Sequence, residues 1–259
     1  MEANAIIKKL DRIDNLPTLP AIAMEVNKML LDYDTTVNKV SDFIEKDLAM
    51  VSKILKLVNS AFFGLGGKIS NISHAVVILG FNTIRNAVVS IAIIDAFCSK
   101  EFFDGFDIKQ FWKHSVAVAV TSKYLAEKTR SHPADDCFVG GLLHDMGKIV
   151  LLQHFQDLFQ KVLRAVKESN QSFYEAEKSE IAVDHAWIGG YLAQKWQLPK
   201  GLVDAIRYHH AVGSSSDNLH LSMIVHTADI IVNAYGADSK VDLGLTEISA
   251  DVLKVMGSQ

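Results

Sequence analysis

Proline is scarce in this chain, with four in 259 residues. Three of the four sit at element starts or turns: Pro17 and Pro20 in "NLPTLPAI", and Pro199 in "WQLPKGL". The long proline-free stretches between them carry apolar residues at helical spacing, which favours an all-α architecture. No sustained strand alternation and no internal repeat is present. Cysteine is scarcer still: Cys98 and Cys137 form no CxxC or similar pair. They read as small core-type thiols in a reducing compartment. There is no excess of positive charge. The net charge is −4, and the first hundred residues hold 11 Lys plus Arg against 10 Asp plus Glu. Neither a basic field nor a basic arm therefore invites nucleic acid. Long apolar runs are missing too. Ala87–Phe97 is broken by Ser90 and Asp95 and is too short to span a bilayer. "MEANAIIKKLDRID" lacks the apolar stretch of a secretory signal. A soluble cytoplasmic protein with no membrane partner is the expectation.

What is there is a large apolar share, 49% of residues, enough for one large domain or two small ones. "LPAIAMEVNKMLLD" puts Ile22, Val26, Met29 and Leu30 on one helical face, with Pro20 near the first turn. "TTVNKVSDFIEKD" repeats the pattern through Val37, Val40, Phe43 and Ile44, with Thr35 or Thr36 as N-cap. "LAMVSKILKLVNSAFFG" follows through Val51, Ile54, Leu55 and Val58 and ends at Gly64. Two short apolar helices come next, "SHAVVILG" and "FNTIRNAVVSIAIIDAF". Their junction at Gly80 superficially matches a helix-turn-helix, but the second helix has one Arg and little else to touch phosphates. Residues 103–110 read as a loop, which divides the chain into an N-terminal helical subdomain (1–102) and a second helical layer (103–259). The later helices run from "FWKHSVAVAVTSKYLAEKT" to "HLSMIVHTADIIVNAYG", with a polar loop at 211–218 and a fraying tail.

Several polar groups sit where apolar residues surround them. "GGLLHDMGKIVLL" (140–152) carries His144, Asp145 and Lys148 between apolar runs. His114 precedes "SVAVAV", His185 sits in "AVDHAWIGG", His209 and His210 end an apolar helix, and Asp229 lies in "SMIVHTADIIVN". A single such histidine is ordinarily a core group bonded to a backbone carbonyl. Taken together, imidazoles and carboxylates turned into one helical bundle are the ligands a divalent metal needs, one or two from each helix. A metal would also supply the counter-charge that burial demands.

The order His114, His144-Asp145, Asp229 resembles the HD superfamily of metal-dependent phosphohydrolases. "GGLLHDMGKIVLL" is especially similar to the HDOD family, a bacterial signalling relative. "LPTLPAIAMEVNKML", "LAMVSKILKLVNSAFFGLGGKISNISHAVVILGFNTIRNAVVS" and "DHAWIGGYLAQKWQLPKGLVDAIRYHH" resemble further HDOD blocks, so the likeness covers about residues 15–235. It implies an HD-like multi-helical bundle preceded by a smaller set of N-terminal helices. It implies that His114, His144, Asp145 and Asp229 are metal ligands, with Asp145 as the bridge if two ions bind. It also implies that His185, His209 and His210 are the extra ligands of the two-metal branch, which includes the HD-GYP phosphodiesterases. Lys148 matches the lysine that contacts a phosphate in that branch; a snorkelling or ion-paired role is the alternative. The cofactor is then one or two divalent ions, of Fe, Mn, Ni or Zn.

One departure matters. HD-GYP enzymes continue after the His pair with a Glu and a Gly-Tyr-Pro loop, whereas this chain reads "HHAVGSSSDN". Gly190-Tyr191 lies mid-helix and lacks the proline. No P-loop, dinucleotide fingerprint or GxSxG elbow is present, and "GLGG" at 64–67 lacks the Lys-Ser/Thr of a phosphate loop. Two functions stay open. One is a signal-transduction output domain that binds a signalling protein or a small phosphorylated ligand, favoured by the resemblance. The other is a metal-dependent phosphohydrolase or phosphodiesterase on a nucleotide-type substrate, with Asp145 and Lys148 as its catalytic groups, favoured by the retained ligand set.

Overall fold

The helical spacing of the sequence becomes helices throughout, with no multi-residue strand among the described residues of the computed structural model. Those residues are 3–12, 21–29, 32, 34–59, 67–97, 105–214 and 219–235. Expectations for Pro17, Pro20, Leu30, Gly64, Cys98, the start of the 103–110 loop, residues 215–218 and the tail lie outside them.

The chain forms two compact units, Pro17–Ser99 and a second made of Met1–Leu16 with Lys100–Gln259. The expected single boundary at 102/103 places the first residues with the N-terminal helices. The first helix, α1 (Ala3–Arg12), instead groups with the C-terminal unit. There Asp11 accepts from Tyr191 and pairs with Lys195 at 3.1 Å, and Lys9 lies over the Phe155 ring. These are tertiary contacts, which local spacing does not encode.

The Pro17–Ser99 unit contains α2 (Ala21–Met29), α3 (Val37–Ile44), α4 (Leu48–Val58) and α5 (Ile72–Phe97). Thr36 caps α3 by accepting from the Lys39 amide, and Asp47 caps α4 by accepting from Met50. Val26, Val40, Ile44, Ile54 and Val58 are fully buried, so the inward faces are those the spacing predicts. Asn59 ends α4 with a side chain that accepts from the Ile69 amide and donates to the Ile69 carbonyl. The chain is thereby pinned on its return to α5.

By length and composition, Ile72–Asp95 is long enough to cross a membrane. The run Ala87–Phe97, too short to span a bilayer, covers only the second part of it, because the apolar pattern continues across Gly80. Most of the segment is buried in the protein, and α5 packs on α2, α3 and α4. It is also broken. Gly80 takes φ 83° and ψ 164°, a conformation open essentially to glycine alone, and it separates the two short helices read from the sequence. Among the described residues, nothing outside its own stretch of helix lies within 4 Å of the position of an added Cβ, so the constraint is on the backbone conformation. Gly80→Ala is expected to lower stability by roughly 1–3 kcal/mol in a urea melt.

The C-terminal unit continues with α6 (Ile108–Thr129), α7 (Ala134–Leu143), α8 (Met146–His154), α9 (Gln156–Ser169), α10 (Phe173–Glu180), α11 (His185–Lys195), α12 (Lys200–Tyr208) and α13 (Leu219–Tyr235). Asp107 caps α6, a Ser172–Glu175 capping box starts α10, and Asp184 caps α11 directly before His185. Two glycines set how closely these helices meet. A Cβ on Gly141 would lie 2.9 Å from the Ala119 Cα and the Val118 carbonyl, so α7 rests on the backbone of α6. A Cβ on Gly147 would lie 1.9 Å from the His185 carbonyl oxygen, so α8 rests on the first turn of α11.

Candidate metal centre

The stretch "GGLLHDMGKIVLL" is two helices. α7 ends at Leu143, α8 begins at Met146, and His144-Asp145 occupies the bend. Both residues are buried, with Asp145 1% exposed. The bend projects them inward together, where a continuous helix would turn one away from the other.

All seven candidate metal ligands of the sequence reading come together here, in two groups. Asp145, His185, His209 and His210 form the first. His114, His144 and Asp229 form the second. They arrive from α6, the α7–α8 bend, the start of α11, the residues just after α12, and α13. Asp145 belongs to both sets of contacts. Its Oδ1 lies 3.0 Å from His185 Nε2 and 3.7 Å from His209 Nε2. Its Oδ2 lies 3.3 Å from His144 Nε2 and 3.8 Å from His114 Nε2. Asp229 Oδ1 completes the second group at 3.1 Å from His114 Nε2 and 3.6 Å from His144 Nε2. In the first group His185 Nε2 is 3.3 Å from His209 Nε2 and 3.1 Å from His210 Nε2.

These spacings fit a divalent ion in each group. Four donors about 2.1 Å from a tetrahedral ion stand about 3.4 Å from one another. The imidazoles are also oriented for it. His144 and His209 donate through Nδ1 to the carbonyls of Gly141 and Ile206, at 2.7 and 2.8 Å, which turns each Nε2 toward the cluster. His144 Nε2 is buried and faces Asp145 Oδ2 at 3.3 Å and Asp229 Oδ1 at 3.6 Å. Burial and the neighbouring His144 and His185 hold His209 well below the usual imidazole range, so it is neutral, as a metal ligand must be. His210 is held down by burial, His209 and His185, and its ring stacks on Tyr174. The carboxylates make the opposite demand. Burial opposes their charge, but His144 with Lys148 at Asp145, and His114 with His144 at Asp229, keep both well below the carboxylate range. Burial equally opposes a charge on His144, yet Asp145 and Asp229 raise it to about 10. The two anionic groups thus favour positive charge at the centre.

Sequence reasoning missed Glu177. This fully buried carboxylate accepts from the His185 amide at 3.0 Å and contacts His185 Nδ1 at 2.5 Å. Burial pushes its carboxyl up, with His185 acting against that. Burial, the largest influence, works against charge on His185 and Lys148 adds to that opposition, but Glu177 and Asp145 together raise the imidazole to about 9. In "SFYEAEKSEIAVDH" Glu177 looks like any solvated helix residue; its distance of eight residues before His185 is the one local signal. His226 was also passed over as a partner: its Nδ1 donates to the His209 carbonyl at 2.6 Å and so holds the His209-His210 backbone. Glu177→Gln tests the support of His185. The amide can donate to Nδ1, which would place the ring proton on Nε2 and turn a donor of lone pair into a blocked one. Metal affinity should fall roughly 10–100-fold in a titration, with helix content retained.

Lys148 lies in α8 at 4% exposure, with Nζ 2.8 Å from Asp145 Oδ2 and over the Phe173 ring. The ion-paired alternative of the sequence reading describes that geometry. Cys137 is buried, and burial pushes its thiol up, in keeping with a packing role.

Comparison with known proteins agrees with this architecture. The family model for the HDOD domain matches residues 16–212. A protein of Treponema pallidum (strain Nichols), itself uncharacterized, is 30% identical over 201 residues, which is 77% of this chain but 38% of that protein. The match therefore spans well under two thirds of that relative. Among solved structures, an HDOD domain protein of unknown function from Geobacter sulfurreducens superposes with a TM-score of 0.82 at 25% identity, covering 98% of this chain and 86% of the other. A Shewanella amazonensis SB2B protein carrying the name "Putative phosphohydrolase" superposes with a TM-score of 0.75 at 26% identity, covering 96% and 88%.

Proposed function

This chain belongs to the HDOD family, and from that premise we propose that it is a bacterial signal-transduction output module whose C-terminal unit is organised by divalent metal. The observation that carries this reading is that seven buried or half-buried donors from five separate stretches meet in two groups around one carboxylate. An ion bound there by His185, His209, His210 and Asp145, or by His114, His144, Asp229 and Asp145, would tie those helices together. Fe, Mn, Ni or Zn suits such mixed imidazole and carboxylate ligands. Bound metal would supply positive charge for a phosphate and would acidify a coordinated water. The module's output would then be a partner signalling protein, or a small phosphorylated ligand, that engages only the metal-organised form.

A second reading, a metal-dependent phosphohydrolase or phosphodiesterase on a nucleotide-type substrate, is favoured by one feature. Asp145 turns one oxygen to each group, the arrangement that two-ion phosphoryl chemistry uses. In that reading Asp145 holds both ions in register and Lys148 holds Asp145. The missing Glu and Gly-Tyr-Pro loop after His210 counts against a cyclic dinucleotide as substrate.

The test is to purify the chain without chelator, measure Fe, Mn, Ni and Zn by elemental analysis, and compare melting with and without chelation. Phosphomonoesters, nucleotides and cyclic dinucleotides are then assayed with Fe or Mn restored. At least about one ion per chain, a melting point lowered by chelator and no turnover support the output module. Turnover that Asp145→Ala abolishes in a folded protein supports the hydrolase. Absence of both metal and any Asp145-dependent effect overturns the ligand assignment.

A further inference from the structure

α6 carries part of its polarity the wrong way round. Its inward face, packed on α7 and α13, includes the fully buried Ser115 and Ser122. Its opposite face presents Val116, Val120 and Tyr124 at 45%, 43% and 57% exposure. The close approach of α7 explains the inner serine, because a Cβ on Gly141 would already lie 2.8 Å from Ser122 Oγ. The outer three are not hidden by any such approach. Single exposed apolar side chains are ordinary, but these stand four residues apart and form one stripe along the helix. Lys128 Nζ lies over the Tyr124 ring at 5.3 Å and leaves the two valines open. Each end of the stripe is closed by an exposed charge, and the two charges differ in sign. Lys113 stands three residues before Val116, and Glu127 stands three residues after Tyr124. At 100° per residue both fall on the face that Val120 occupies. The spacing along Lys113, Val116, Val120, Tyr124 and Glu127 is therefore the same read from either end, with a cation at one end and an anion at the other.

We propose that this face is a dimer contact, on which α6 of a second copy of the chain lies antiparallel with the two-fold axis at Val120. Val120 then meets its own symmetry mate, Val116 meets Tyr124 of the second copy, and Lys113 meets Glu127 of the second copy. Each unlike contact is made twice, as a two-fold requires. A parallel pair would set Lys113 against Lys113 and Glu127 against Glu127, so charge fixes the direction. The occupant is a second copy rather than an unrelated protein because the pattern is complementary to itself. One helix face is small beside the roughly 1,200–2,000 Å² of a standard interface, so the dimer exchanges, with a Kd on the order of 10 μM. The contact uses none of the seven metal donors and stands apart from the metal reading.

Sedimentation velocity on the full chain, from well below to well above that Kd, should show a reversible monomer–dimer equilibrium. Val120→Glu sets two carboxylates face to face on the axis and should weaken the dimer at least about tenfold. Its urea midpoint should stay at the wild-type value, because the position lies at the surface. Lys113→Glu and Glu127→Lys should each weaken self-association about threefold at low salt. Mixed in equal amounts, those two chains should prefer each other, because the mixed pair regains opposite charges at both ends. A wild type that stays monomeric throughout overturns the proposal, whatever else covers the stripe. So does a dimer that folded Val120→Glu leaves intact, or a mixture of the charge variants with no preference for the mixed pair. The wild-type measurement decides by itself if a variant fails to fold, and none of these outcomes bears on the metal centre.

Discussion

Asp145→Asn should abolish metal retention and cost about 3–5 kcal/mol of stability, because it removes the one carboxylate common to both donor groups and leaves Lys148 buried against a neutral amide. Asn preserves the shape of the side chain, so the loss is electrostatic rather than a cavity. At the same time His144 and His185 each lose a facing carboxylate oxygen, at 3.3 and 3.0 Å. Elemental analysis and a urea melt on one preparation check the two halves of the expectation. A variant that keeps its metal would show that Asp145 is not a ligand. A variant that loses metal with an unchanged midpoint would show that the Asp145–Lys148 pair contributes nothing to the fold.

Gly147→Ala should be as damaging, although it touches no charge. The added methyl would lie 1.9 Å from the His185 carbonyl oxygen and 2.9 Å from the Gly189 amide nitrogen. Both are backbone atoms in the first two turns of α11, so relief requires α8 and α11 to move apart. Overpacking commonly costs about 1–3 kcal/mol, and a backbone collision with no rotamer to adjust belongs at or above the upper end. Since His185 opens α11, the same displacement pulls one ligand out of its group, and metal affinity should fall along with the denaturation midpoint. Both are read by repeating the melt with and without added Mn(II). Gly80→Ala offers the contrast: its cost arises from φ alone, so it should lower the midpoint without changing metal affinity.

The ligand set was legible because the chemistry stands out against its background. His114, His144, Asp145, His185, His209, His210 and Asp229 are polar groups set beside apolar runs of the sequence, and each needs a reason to be there. The helices were legible for a related reason: their caps and inward faces are encoded within a few residues, as at Thr36, Asp47 and Val40. Glu177 was not, because its run "YEAEKSE" is polar on both sides and nothing local distinguishes the buried glutamate from its solvated neighbours. Gly147 was visible as a letter but not as a distance. That α8 needs no Cβ there follows only once α11 is in place. The grouping of α1 was hidden likewise, since Asp11, Tyr191 and Lys195 meet across some 180 residues of chain.

That grouping makes the architecture nested rather than serial. The polypeptide lays down one helix of the metal-bearing unit, departs to build all of residues 17–99, and then returns to complete what it began. A host body interrupted by a guest cannot be separated by a single cut. A fragment starting at residue 103 would discard Ile6 and Leu10, which are buried, and strip the Asp11 contacts from Tyr191 and Lys195 on the helix that starts with His185. Isolating the metal centre therefore calls for excising the guest and splicing α1 back onto the chain near residue 100. Simple truncation would leave the host unfinished.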